Sequence, residues 1–183
     1  MDGDAGKPIR LGAALAVVGG AIAVVAVYLP AFKVSGQGVN ATEKLFRDWE
    51  GKVALITAAI MIAGGILIWF LPPRQSASRV VGLVCLAALV CVATAAYAIT
   101  VFHGKTLDTL ASQFGKLRGI PASQVRPLLV AAVNSGALKL SGKIGVPVLI
   151  AGAGLAFFGA ILVFAKGRRP SEVGGPLPAS AVI

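Results

Sequence analysis

Four stretches of the 183-residue chain, 11–32, 53–71, 80–102 and 144–165, contain no Asp, Glu, Lys, Arg or His. They are 22, 19, 23 and 22 residues long, and a hydrocarbon core about 30 Å thick is crossed by about 20 apolar residues in helix. Lipid cannot hydrogen-bond an open backbone, so each run is expected to be helical. The fold class that follows is all-α integral membrane: a four-transmembrane-helix bundle with short extracytoplasmic amphipathic helices. The domains are a cytoplasmic N-terminus (1–10), a membrane domain (11–165) whose loops 33–52 and 103–143 face outward, and a flexible cytoplasmic tail (166–183).

A mean hydropathy of +0.87 leaves little chain for anything outside a membrane domain. The net charge of +10, from 17 Lys and Arg against 7 acids, would suggest nucleic acid in a soluble protein. Here the basic residues flank every span with no aromatic-interleaved patch, so topology and anionic headgroups account for them, and no nucleic-acid partner is expected. Arg10, Arg79 and Lys166 abut span ends, and the short second loop has no acid. Both termini and that loop are therefore assigned to the cytoplasm of a bacterial inner membrane. Lys7 and Arg10 before an apolar run resemble a secretory signal, but the run is too long for one and is read as a retained span.

Aromatic residues cluster at span ends: Tyr28, Phe32, Phe46, Trp49, Trp69, Phe70, Phe102 and Phe164. These positions fit interfacial belts. In the first loop, 41–50 reads as a short amphipathic helix that Thr42 caps, with Leu45, Phe46 and Trp49 on one face. It would serve as an interfacial anchor or as a docking surface. In the third loop, Leu107, Leu110, Ala111, Phe114 and Leu117 form a helical stripe that Gly119 and Pro121 end. Ser123 is placed to cap a second helix over 125–133 bearing Leu128, Leu129 and Val130, stopped by Asn134-Ser135-Gly136. Residues 137–141 alternate as an extended segment does. Two helices this short are not stable alone in water, so they need the membrane surface, each other or a partner.

Small residues recur four apart at Gly12, Ala16 and Gly20, at Ala59 and Ala63, and at Gly152, Ala156 and Ala160. Such stripes let helices approach closely, within the bundle or against another protein. The polar residues of the runs are Thr57, Thr94, Thr100, Cys85 and Cys91, with the threonines able to bond their own helices and the cysteines read as packing groups. The single histidine, His103, has no partner at metal spacing and is read as interfacial.

Ion-coupled transport ordinarily uses a charged group at depth, and the runs hold none. Small four-span multidrug transporters, for example, carry a membrane-embedded Glu. Nucleophile–base pairs, metal clusters and phosphate loops are also missing from the sequence, so neither an enzyme nor a cofactor or metal is expected. The leading reading is a non-catalytic accessory or stabilising subunit of a larger integral membrane complex, in contact with membrane lipids. Its partner-facing candidates are Leu107, Leu110, Phe114, Leu117, Leu128, Leu129, Trp49 and Phe46.

The predominance of Ala, Val and Gly over Leu, Ile and Phe, with the four-span plan, resembles small actinobacterial, especially mycobacterial, inner-membrane proteins. One such class is the accessory subunit of the Mce lipid importer, and that resemblance implies lipid transport. A respiratory supercomplex accessory subunit fits the same plan. Two other readings stay open: a homo-oligomeric lipid-binding or transport protein whose third-loop helices line a groove, and an envelope sensor using the basic tail.

Overall fold

The structure, a computed structural model, describes residues 7–36, 39–44, 48–70 and 76–167. Five helices run in chain order: α1 (Lys7–Tyr28), α2 (Trp49–Phe70), α3 (Ser76–Arg118), α4 (Ala122–Asn134) and α5 (Gly145–Gly167). Three strands, β1 (Pro30–Gly36), β2 (Val39–Lys44) and β3 (Lys139–Gly142), lie between them. Four helices are long and apolar enough to cross a membrane, over Ile9–Tyr28, Trp49–Phe70, Arg79–Phe102 and Gly145–Ala165. The architecture is that of a multi-pass, mainly helical membrane protein, with the strands and α4 gathered into a cap at one end of the bundle.

α1 sits between α5 and α2, and glycine sets its distance from each. A Cβ on Gly19 would lie 2.5 Å from Gly152 O, and one on Gly152 would lie 2.8 Å from Gly19 O. One turn-pair away, Gly12 and Gly159 stand in the same reciprocal relation, where a Cβ on either would lie 2.6 Å from the other's carbonyl oxygen. The two backbones therefore touch directly, which apolar helices in lipid use in place of hydrophobic exclusion. Ala16, Ala23, Ala153, Ala156 and Ala160 fill the rest of this seam and are fully buried.

The anticipated small-residue stripes divide unevenly. Gly12, Ala16, Gly152, Ala156 and Ala160 are buried, but Gly20 turns toward Ala58 and Ile62 of α2 and leaves the α5 contact to Gly19. Ala59 and Ala63 are exposed, and α2 meets the core through Ala54, Ala58, Met61 and Gly65. Thr57, Thr94 and Thr100 each donate to a carbonyl three or four residues back in their own helix. Cys85 and Cys91 are free thiols, half-buried and buried.

Several element boundaries differ from the sequence expectation. The first span ends at Tyr28 rather than 32, because Pro30 biases Leu29 away from helical torsions and the chain continues directly as β1. The second helix begins at Trp49 rather than 53, so Glu50 and Lys52 belong to it. Thr42 lies in β2 and caps no helix, while Phe46 falls outside the described residues. The amphipathic helix expected over 41–50 is thus replaced by a strand and the start of α2. In the third loop, the Leu107 stripe is not a separate helix but the end of α3, which runs 43 residues without a break.

That overhang reaches about 24 Å beyond Phe102. Gly119, at φ 67°, ends it in the left-handed conformation that glycine adopts without strain. α4 starts at Ala122 after Pro121, with no side-chain cap, so Ser123 lies in its first turn. Gly136, at φ 77°, turns the chain toward β3, which takes up 139–141 of the extended segment expected over 137–141, residues 137 and 138 being a bend. β1 is the central strand of an antiparallel sheet ordered β2-β1-β3, with Val34 opposite Leu140 and Phe32 opposite Gly142. The sheet presses Val34 onto a second small core made by Leu107, Leu110, Ala111 and Leu129.

The glycine contacts give a measurable contrast. Gly19→Ala and Gly152→Ala should each cost about 1–3 kcal/mol by overpacking. Gly82→Ala, where a Cβ would meet nothing within 4 Å, should be neutral or stabilise by up to about 1 kcal/mol. Equilibrium unfolding in detergent, followed by circular dichroism, reads the difference; equal effects at the three positions would refute the direct backbone seam.

Candidate functional site

Where the apolar segments end under the cap, two side chains far apart in sequence meet. Lys105, just past the apolar part of α3, donates from Nζ to Glu50 Oε1 in the first turn of α2. The Glu50 side chain is 4% exposed and that of Lys105 41%. A carboxylate so buried is costly unless paired, and the ammonium meets that need while its other side stays wet. The hydrogen bond to Glu50, reinforced by the charges of Glu50 and Asp48, raises the Lys105 pKa above its ordinary 10.5 against a smaller desolvation effect.

Aromatic residues frame this pair. Lys105 Nζ stands 5.8 Å from the Trp49 ring centroid, and Trp49 meets Tyr97 at 5.6 Å with the rings tilted by 54°. On the inner side a cleft of about 30 Å³ is lined by Phe32, Lys44, Asp48, Glu50, Ala98, Phe102, Lys105 and Thr106. Glu50 Oε2 and Thr106 Oγ1 are both buried, without a hydrogen-bond partner among the described residues.

Phe32 of β1 stacks on Phe102 of α3, with ring centroids 3.7 Å apart and planes 14° from parallel. This stack separates the polar cleft from a larger, open-sided apolar cavity of about 840 Å³. Ile99 and Phe102 of α3, Phe32, Leu140 and Gly142 of the sheet, and Lys143, Ile144, Val146, Pro147, Ile150 and Ala151 line it. The lysine is its single charged lining residue. β3 and the first turns of α5 therefore form one wall, with α3 the other.

The partner-facing candidates scatter around this centre. Leu107, Leu110 and Leu129 are buried in the small core of the cap, with Phe114 half-buried against it. Leu117 and Leu128 are instead 82% and 70% exposed. Trp49 is 53% exposed beside Lys105. Phe46 and the side chain of His103 lie outside the described residues, as does the tail over 168–183. Arg126 of α4 donates to Asp108 of α3 at 2.6 Å, an exposed pair that clips the hairpin shut.

Sequence reasoning missed Glu50, Lys105 and the cavity. Glu50 stands only three positions before a charge-free run and next to Trp49, which marks it as interfacial. Nothing local couples it to a lysine 55 residues away. Among the described residues no three His, Cys, Asp or Glu side chains converge as a metal site would require. In comparisons with known proteins, no family model, curated protein or solved structure matches the chain.

The pair predicts an asymmetry. Lys105→Met strands a buried carboxylate and should cost about 1–3 kcal/mol, whereas Glu50→Gln leaves a half-exposed lysine that water can solvate and should cost less. Because the folded Lys105 pKa is raised, the pair's contribution is full at neutral pH and fades only as pH climbs through the raised value. Wild-type stability should therefore show no loss from the titration of this lysine between about pH 7 and about pH 9. Chemical denaturation of both variants across that range tests the ranking, which fails if Glu50→Gln is the more damaging change.

Proposed function

We propose that this chain is a non-catalytic accessory subunit of a larger bacterial inner-membrane assembly. Its termini are in the cytoplasm, and its cap, on the opposite side, binds a partner. The observation that carries this reading is the exposure of Leu117 and Leu128 in a part of the molecule beyond the apolar segments. Each such side chain forgoes burial worth about 1.5–3 kcal/mol. Ile120, between the two helices, is also 39% exposed. Exposed apolar groups on an ion-paired helical hairpin fit a protein interface better than a solvated loop.

Two further features support the reading. Ala59 and Ala63 present a small-residue face on the outside of α2, where a neighbouring helix can approach closely. The ionisable pair beneath the cap is engaged in holding α2 to α3, a tie rather than a relay. The resemblance in span plan and composition to the accessory subunit of the Mce lipid importer points to lipid transport as the process served.

Affinity purification from native membranes in mild detergent, followed by mass spectrometry, is the test. The expected result is stoichiometric recovery of a larger integral membrane partner. A Leu117→Asp/Leu128→Asp double variant should lose that partner about 100-fold, if each leucine contributes about 1–2 kcal/mol as interface anchors do. A chain that migrates alone, or a double variant that retains its partner, would sink the proposal.

A further inference from the structure

The cavity beside the Phe32–Phe102 stack lies at a defined depth. Ile99 and Phe102 close the apolar segment of α3, and Ile150 stands near the start of that of α5. The opening is therefore at the level where lipid hydrocarbon gives way to headgroups. Ile99 and Ile150 are 48% and 37% exposed, so the cavity is entered sideways, from the bilayer. Its volume of about 840 Å³ falls within the range of about 300–1,000 Å³ typical of ligand pockets.

We propose that this cavity holds one acyl chain of an anionic bilayer phospholipid, with the Lys143 ammonium on the headgroup phosphate. The walls select for hydrocarbon, since Phe32, Phe102, Leu140 and Ile150 offer no side-chain hydrogen bond to a polar ligand. Charge complementarity selects the headgroup. Lys143 is exposed, lines the cavity and pairs with no carboxylate among the described residues. Its backbone is fixed, since Lys143 N donates to Ala31 O at 2.7 Å. The ammonium is thus tethered where a phosphate would sit once a chain had entered, and such charge-assisted contacts are about twice as strong as neutral ones. The neighbouring lysine of β3, Lys139, is also exposed and adds to the same positive field.

The test uses the full chain in vesicles of phosphatidylcholine and phosphatidylglycerol, each lipid in turn carrying a photoreactive diazirine at the end of one acyl chain. Adducts should concentrate on residues 99–102 and 140–151. Ala151→Trp, which fills the cavity from α5, should lower them about 15-fold, the loss expected when about two methylenes leave apolar burial. Adducts on the outer face of α2, around Ile56 and Leu67, should not change, and this also reports that the variant is folded. Lys143→Gln, on an exposed side chain, should remove the preference for phosphatidylglycerol over phosphatidylcholine at the cavity. Adducts spread evenly over the spans, wild-type yield in Ala151→Trp, an unchanged preference in Lys143→Gln, or crosslinking of the mouth to a second copy of the chain would each overturn the proposal.

Discussion

The direct backbone contact between α1 and α5 determines much of what surrounds it. Because Gly12 and Gly19 lie against Gly159 and Gly152, the two antiparallel helices meet backbone to backbone. The end of one therefore lands on the beginning of the other. At that junction a Cβ on Gly145 would already be 3.0 Å from Pro30 O. The segments leaving α1 and entering α5 are thereby forced side by side, and pairing of β1 with β3 is how their backbone groups are satisfied. Without the glycines the seam would widen by a side chain, and the strands would lose their register.

The cap follows from that pairing. β1 carries β2 on its other edge, and Phe32 and Val34 project from β1 toward α3. Val34 then gives the overhanging part of α3 something apolar to rest on, and Leu129 of α4 covers it from the other side. The overhang of α3 and the short α4 are stabilised here by each other and by a sheet, with Leu117 and Leu128 left over. The cavity is a by-product of the same geometry. α5 is drawn toward α1 while α3 is held by the Phe32 stack, so the two walls diverge on the lipid side.

Much of the membrane part was legible in the sequence because lipid imposes a simple rule, absence of charge over a sufficient length. The Leu107–Leu110–Phe114 stripe and the Gly119 and Gly136 stops were legible because helical periodicity and left-handed glycines are local. The strands were not. Residues 41–44 carry Thr42, Glu43 and Lys44, which suit a helix as well as a strand, and what decides between them is an unpaired edge on β1 that no local pattern reveals. The Glu50–Lys105 pair and the cavity depend on the same long-range placement. Of the small-residue stripes, the sequence showed spacing but not azimuth, so Gly19 was overlooked beside Gly20, and Ala59 and Ala63 were found on the outside.

The unbroken passage of α3 from bilayer to cap makes its inclination and the position of the hairpin a single mechanical variable. A spanning helix adjusts its tilt to the thickness of the hydrocarbon around it. With an overhang of about 24 Å, every 10° or so of tilt carries Leu117 sideways by roughly 4 Å. Bilayer thickness is in this way geared to the reach of the hairpin, with the rod of α3 as the lever and the Glu50–Lys105 contact close to its fulcrum.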